Sequence, residues 1–237
     1  MLRDMTMKAV ILAGGKGRRL LPYTTNFPKP LMPIGEKPIL EIVIEQLKNY
    51  NFKEIIITTG HFGELIRAFF EDGKKFGVNI TYSKEDKPLG TFGPLFLIKD
   101  ELKETFLLMN GDVLTDLDFS KFVEFHKKSG GAATVALAER EVNIDFGVVK
   151  VSKEGGFKEW NEKPTINYLV SAGIYLFEPE ALKFLKEEKF INLPDFIVML
   201  KENGKKVSTY LHKGYWLDIG RPEDYEKACE DYEKLFG

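Results

Sequence analysis

A chain of 237 residues, 43% hydrophobic and 30% charged, is long enough to bury a sizeable core and has neither a disordered nor a collagen-like composition. Its 34 Lys and Arg against 36 Asp and Glu leave a formal charge of -2, so no global field draws it to nucleic acid or a membrane, and any polyanion site must be local. One cysteine, Cys229, excludes an internal disulfide and a cysteine-based zinc cluster, and the absence of a signal-peptide pattern or a run of about 18 apolar residues leads us to expect a cytoplasmic protein with no nucleic-acid or membrane partner.

Met7 directly precedes the first strand pattern, and the six residues ahead of it read as a frayed extension or a misassigned start. Residues 8–12 form a fully buried strand pattern, and 38–50 carry Ile39, Leu40, Val43, Ile44 and Leu47 at helical spacing. A strand is expected at 54–59, a helix at 62–70, a turn at Asp72-Gly73 and a strand at 78–83. A helix at 93–103 and a strand at 105–109 follow, the strand ending in Asn110-Gly111-Asp112. Asp116 or Asp118 is expected to cap the next helix, which runs to Lys127.

The second half is richer in strand signals, at 132–138, 147–151, 157–160 and 169–177, with a helix at 178–186. A helix at 194–202, a strand at 207–211 and an amphipathic helix at 223–236 close the chain. No repeat or linker divides it. The expectation is one α/β, Rossmann-like three-layer domain on a mixed, mostly parallel sheet, with a nucleotide-binding half at 1–125 and a second half at 126–237 that completes the site. The last helix, with Tyr225, Ala228, Cys229, Tyr232 and Leu235 on one side, packs on the domain or on a second subunit.

Residues 12–40, LAGGKGRRLLPYTTNFPKPLMPIGEKPIL, hold four glycines and five cations straight after the first strand. A buried strand, a glycine turn and cations are the parts needed to hold polyphosphate, because glycine lets successive N–H groups close on an anion with no Cβ in the way. The spacing is neither G-x-x-x-x-G-K-[ST] nor the dinucleotide fingerprint, since Arg18 follows Gly15-Lys16-Gly17 and no third glycine is placed for it. Alone, such a loop reads equally as a tight turn. Arg18, Arg19 and Lys29 favour a site, because clustered cations repel one another unless an anion is present. Pro30 is expected to keep Lys29 extended, presenting its ammonium from a stiff backbone.

Gly14-Gly15-x-Gly17-x-Arg19-Leu20, Pro22 and Pro28-Lys29-Pro30-Leu31-x-Pro33 resemble the N-terminal motif of the sugar-phosphate nucleotidylyltransferases, also called nucleotide-sugar pyrophosphorylases. The resemblance continues through Pro88-Leu89-Gly90-Thr91, Asn110-Gly111-Asp112, Phe146-Gly147, Glu162-Lys163-Pro164, Ala172-Gly173-Ile174-Tyr175 and Trp216-Leu217-Asp218-Ile219-Gly220. Arg18 departs from it, standing where the family usually has Thr or Ser.

The resemblance implies transfer of a nucleotidyl group from a nucleoside triphosphate to a sugar 1-phosphate, with Arg19 on the β- and γ-phosphates and Lys29 on the α-phosphate as the catalytic cations. It also implies nucleotide binding by Leu12, Ala13, Gly14, Gly15, Gly17, Glu85, Gly90, Thr91 and Asp112. The sugar phosphate would lie on Gly147, Glu162, Lys163 and Gly173, and Asp112 with Asp218 would hold Mg²⁺. Each of those two carboxylates, taken alone, also reads as a cap or turn residue. Asn161 and Tyr175 are further candidates for the sugar pocket, whereas Trp160 is expected in the core rather than as a sugar platform. His61, His126 and His212 match none of the motifs and are expected to be surface or structural, in keeping with a nucleophile that is already ionised and needs no base.

Glu85, five residues before Gly90, stands where the family reads the base. A carboxylate offers only acceptors, which suit the adjacent N–H donors of guanine, and EDKPLGTFGPL, Glu85 to Leu95, most resembles the mannose 1-phosphate guanylyltransferase branch. GTP with mannose 1-phosphate is the first expectation, and a thymidylyl or uridylyl transferase acting on glucose 1-phosphate or a related sugar the alternative. Few residues follow Asp218, so no C-terminal β-helix is expected, and a monomer or small homo-oligomer is. A non-catalytic nucleotide-sugar sensor would be expected to lose the loop cations or the metal carboxylates, which this chain keeps. A dehydrogenase is disfavoured by the glycine spacing.

Overall fold

The computed structural model describes residues 7–235; the expectation for the residues ahead of Met7 lies outside that range, as does Phe236. The strands are β1 (Lys8–Ala13), β2 (Pro33–Ile34), β3 (Lys37–Pro38), β4 (Glu54–Thr59), β5 (Asn79–Lys84), β6 (Phe106–Asn110), β7 (Val113–Thr115), β8 (Ala133–Asn143), β9 (Val148–Val151), β10 (Phe157–Asn161), β11 (Thr165–Phe177), β12 (Val207–His212) and β13 (Trp216–Asp218). The α-helices are α1 (Ile39–Asn49), α2 (Gly63–Phe70), α3 (Phe119–Ser129), α4 (Leu193–Glu202) and α5 (Pro222–Leu235).

Among the described residues the main sheet has seven strands in the order β12-β8-β11-β6-β1-β4-β5. The β6-β1-β4-β5 block is parallel, β11 runs antiparallel between β6 and β8, and β12 is parallel to β8, which is the mixed, mostly parallel sheet expected. β1 is central, and its period-2 alternation divides it between two cores. Ala9, Ile11 and Ala13 join one cluster with α1, α2 and α3 through residues such as Val43, Leu47, Phe70 and Phe122. Val10 joins the other, with Phe92, Leu95, Ile98, Phe177 and the α4 residues Phe196 and Leu200. Each large apolar side chain so buried is worth about 1.5–3 kcal/mol relative to exposure, which makes β1 the seam of a three-layer α/β structure.

Two segments differ from expectation. Gly93–Glu101 and Pro179–Phe184 are 3-10 rather than α-helical. Each carries a proline in its first turn, and in the longer one Leu95 and Ile98 stand three apart, the period at which 3-10 side chains eclipse and face one core. β8 and β11 also run further than their apolar signals, because their outer ends pair with each other from Thr165–Asn143 to Val170–Ala138, mostly at exposed positions.

Of the two candidate caps, Asp118 serves α3: its Oδ1 accepts from Lys121 N at 3.0 Å, and that bond helps hold its carboxyl below the usual range. The last helix, α5, packs on its own chain. Ala228 is fully buried beside Ile34, Ile39 and Ile219, with Tyr225, Cys229 and Tyr232 against the same cluster, and Tyr225 Oη donates to Pro33 O at 2.5 Å. The side chain of Leu235 lies outside the described residues.

His126, on α3, is 1% exposed, as its expected structural role requires. Its Nδ1 lies 2.7 Å from Thr134 Oγ1 and its Nε2 3.1 Å from Glu178 Oε1, which also accepts from Thr105 Oγ1 at 2.9 Å. Burial pushes the imidazole pKa below its ordinary 6.5, Glu178 opposes that shift, and Lys127 adds to it. The unfolded chain therefore binds a proton that the fold resists, so His126 contributes stability that is present above pH 6.5 and lost as pH falls through the lowered folded value. Urea melts of the wild type should show a midpoint that drops on acidification, and His126→Gln should flatten that drop; an unchanged slope would place the proton uptake elsewhere.

Candidate active site

The chain leaves β1 into the glycine loop, and local sterics explain its glycines. Gly17 sits at φ 61°, and a Cβ there would lie 2.9 Å from Thr24 Cγ2, while Thr24 Oγ1 donates to Gly17 O at 2.8 Å. This left-handed residue opens the 3-10 turn Arg18–Leu20, which drives Leu20 into the core and leaves both arginines exposed. A Cβ at Gly220 would lie 3.1 Å from both terminal nitrogens of Arg19, so the bare glycine makes room for that guanidinium.

Lys29 differs from its expected backbone. Pro28 is the extended residue, at φ -71° and ψ 134°, and Lys29 opens a 3-10 turn, Lys29–Leu31. The turn holds because Leu31 N donates to Pro28 O at 2.9 Å and Met32 N to Lys29 O at 3.0 Å. Lys29 is 9% exposed, and its ammonium donates to Asp112 Oδ2.

Asp112 follows β6 through Gly111, whose N donates to Leu12 O at 3.0 Å, and so sits at the carboxyl end of the central strands. Asp218 ends β13, which pairs antiparallel with β7 so that Asp218 stands opposite Val113; Ile219 N donates to Asp112 O at 3.0 Å. Burial raises the Asp218 pKa, the neighbouring Asp112 charge raises it further, and Lys29 and Arg19 oppose both. Asp112 Oδ1 is buried with no hydrogen-bond partner.

On the far side of the loop, Glu85 Oε2 accepts from Leu89 N at 2.9 Å, while a Cβ on Gly14 or Gly60 would approach Oε1 to 3.1 Å. The Leu89–Gly93 turn is fixed from outside: Ile191 N donates to Leu89 O at 2.9 Å, Phe92 N to Ile191 O at 3.0 Å, and Leu193 N to Thr91 Oγ1 at 2.8 Å. Gly90 lies at φ 80°, where a Cβ would come within 2.6 Å of Ile191 O.

These elements enclose a cavity of about 480 Å³. Leu12, Ala13, Gly14, Gly15, Gly17, Arg19, Lys29, Glu85, Gly90, Thr91 and Asp112 all line it, and Arg18 lies on the same wall. The expected site residues left out Thr58, Phe190 and, although it stands in the Asn110-Gly111-Asp112 motif, Asn110. Thr58 and Asn110 flank Leu12 in register at the ends of β4 and β6, so the rule that ligands gather at carboxyl ends of parallel strands would have found them. Phe190, 61% exposed, is brought there by the Ile191–Leu89 pairing, for which the sequence carries no signal.

Gly147, Glu162 and Lys163 line no part of that cavity; they lie at the base of the β9-β10 ribbon. Gly173 lines no part of the cavity either, but it packs against Asn110, which does. It sits at φ 71° in the irregular stretch of β11 between Ser171 and Tyr175, where a Cβ would come 2.7 Å from Asn110 Nδ2. Tyr175, a looser candidate, is buried with its hydroxyl 2.6 Å from Ser171 Oγ, and Asn161 is exposed at the end of β10. Trp160 is not in the core: it is 61% exposed on β10, because the ribbon has no layer above it.

The sequence from residue 8 to residue 235 matches the nucleotidyl transferase family model. The chain belongs to that family. A UTP–glucose-1-phosphate uridylyltransferase of Synechocystis is 34% identical to it over 241 residues, covering 94% of this chain and 62% of that protein. A mannose-1-phosphate guanyltransferase of Saccharomyces cerevisiae is 32% identical over 228 residues, covering 92% of this chain and 63% of that protein. The chain thus spans about three fifths of the length of the curated relatives it matches. Among solved structures, a Bacillus anthracis protein assigned as a glucose-1-phosphate thymidylyltransferase, in complex with a sucrose, superposes with a TM-score of 0.77. It is 28% identical, with 98% of this chain and 97% of that one covered. The family membership agrees with the α/β architecture and with the motif resemblance.

Gly90→Ala tests the turn that closes this cavity. A left-handed alanine pressed on a carbonyl is expected to cost on the order of 2 kcal/mol and, in a chain of this size, to lower Tm by about 4–8 °C in a thermal melt. An unchanged Tm would mean that the Ile191 segment yields freely.

Proposed function

We propose that the chain transfers a nucleotidyl group from a nucleoside triphosphate to a sugar 1-phosphate. The observation that supports this best is the gathering of Arg19, Lys29 and Asp112 on one glycine-lined cavity of about 480 Å³, with Asp218 against Asp112. A sugar-phosphate oxygen attacks the α-phosphorus and forms the new P–O bond, while the bond to the β-phosphate breaks and pyrophosphate leaves with the electron pair. The nucleophile is already ionised, so the protein's work is positioning and charge neutralisation. Lys29 is the group for the α-phosphate, Arg19 and the glycine-loop amides hold the β- and γ-phosphates, and Glu162 and Lys163 receive the sugar phosphate. The non-catalytic sensor is disfavoured because Arg19, Lys29, Asp112 and Asp218 are all kept.

Asp112 and Asp218 are the residues for Mg²⁺. The unpartnered, buried Oδ1 of Asp112 and the crowded carboxyl of Asp218 are hard oxygen donors that a divalent cation would satisfy. Among the described residues no group of three or more acidic, His or Cys side chains could hold a metal, so phosphate oxygens and water complete the set. The bound ion would supply charge neutralisation at the phosphates. In the free protein Lys29 is satisfied by Asp112, and nucleotide with metal gives each a new partner.

GTP with mannose 1-phosphate remains the first pair, on the acceptor character of Glu85 and the guanyltransferase relative. UTP or dTTP with glucose 1-phosphate is the second. It gains from the uridylyltransferase relative and from the Leu89 N–H that already takes one acceptor position of Glu85 Oε2, leaving fewer to read the base. We further propose that residues 1–125 and 126–237 act as one catalytic unit, in the cytoplasm, as a monomer or small homo-oligomer; the main sheet draws strands from both halves.

Pyrophosphate release measured over a grid of GTP, UTP, dTTP, CTP and ATP against mannose and glucose 1-phosphates should peak at one pair and vanish on chelation of Mg²⁺; silence across the grid would sink the reading. Lys29→Ala should lower kcat on the order of 100-fold with nucleotide affinity nearly unchanged, as expected for a charge that meets the transition state. Equal losses in both would reduce Lys29 to a ground-state contact.

A further inference from the structure

The β9-β10 ribbon carries its own small constellation. Trp160 stands near the end of β10, and Glu162 follows just after the strand. Trp160 Nε1 donates to Glu162 Oε2 at 2.9 Å. Gly147 lies beneath both: a Cβ there would come 2.6 Å from Trp160 Cζ2 and 2.8 Å from Glu162 Oε2. The glycine is therefore what lets the indole and the carboxylate settle together. Lys163 follows at φ 45°, an uncommon backbone state outside glycine, next to Pro164, whose carbonyl accepts from Ile144 N at 3.1 Å.

An indole normally buries 150–250 Å², roughly, and finds a partner for its N–H. Here the N–H has its partner, yet the side chain is 61% exposed. A flat apolar surface edged by a fixed acceptor and followed by a cation matches an anionic hexose in three respects. The ring's C–H face covers the indole, a rim hydroxyl donates to the carboxylate, and the phosphate meets the ammonium.

We infer that Trp160 is a sugar-binding residue, whose exposed ring forms a wall of the hexose subsite while its Nε1–H fixes the orientation of Glu162. The inference rests on the proposed nucleotidyl transfer only for the identity of the ligand as a sugar 1-phosphate. Trp160→Phe keeps a ring and deletes the hydrogen bond; Trp160→Ala deletes both.

The test combines emission and kinetics on the full chain. Titration of the wild type with mannose 1-phosphate and with glucose 1-phosphate should change tryptophan emission, inorganic phosphate should not, and the change should disappear in Trp160→Phe, which retains Trp216. In the steady state, Trp160→Phe should raise KM for the sugar phosphate on the order of ten-fold, the loss expected for a hydrogen bond to a charged group, and Trp160→Ala should raise it further. KM for the nucleotide should stay within about two-fold in both, a split that a general loss of structure would not give.

Normal sugar-phosphate KM in both variants of an active protein overturns the inference and leaves the transfer reaction standing. Emission that fails to respond to either sugar phosphate, or responds equally in Trp160→Phe, also overturns it. Trp160-dependent emission in a protein that makes no nucleotide sugar supports the subsite and defeats the reaction instead.

Discussion

The pairing of β13 with β7 forces Asp218 against Asp112, and much of the site is arranged around that pair of like charges. At protein-interior dielectrics two adjacent carboxylates repel by an amount on the order of a few kcal/mol. The fold answers with cations from a distant part of the sequence: Lys29 binds Asp112 directly, and Arg19 acts on Asp218 across the space that Gly220 leaves open. Positive charge held in that way is poised rather than neutralised. On the proposed function, a polyanion that brings its own divalent cation would exchange partners with the site without leaving any charge bare.

The backbone supplies the second part of the arrangement. β1 is buried on both faces, so the loop leaving it is anchored in two cores at once, and the ends of β4 and β6 bracket that loop in register. Both the glycine loop and the acidic pair then lie at the carboxyl edge of one sheet. The ribbon with Gly147, Trp160 and Glu162 is built differently, from two exposed strands with no covering layer. The glycine loop thus has rigid support on both faces, whereas the ribbon is supported only by the pairing of its own two strands.

Much of this was legible in the residues. The alternation of β1, the helical spacing of α1 and the glycine-cation loop all report local physics, and the residues expected to bind nucleotide line one cavity. What failed to be legible depended on partners far away in the sequence. Gly93–Glu101 has an apolar pattern that suits either an α- or a 3-10 helix, and its buried Leu95 and Ile98 join a cluster with residues as distant as Phe177 and Phe196. Lys29 was expected to be extended on the strength of Pro30, but hydrogen bonds from Leu31 and Met32 outweigh the steric preference. Trp160 carried a core residue's composition and a surface residue's position, because nothing in its own segment says that the ribbon stands alone.

The segment around Ile191 has a bearing on how substrate preference can be re-engineered. Glu85 and the turn that follows it look like a portable cassette, a few contiguous residues to be exchanged between relatives with different bases. The turn is held on its outer edge by backbone bonds to Ile191 and by Leu193 N on Thr91, and Gly90 fits only because a carbonyl passes directly over it. A graft of the turn alone would import one half of a lock. If the proposed role of Glu85 holds, exchanges of base preference in this scaffold are better made as two segments moved together, the Glu85 turn and the strap that frames it, although about a hundred residues of chain separate them.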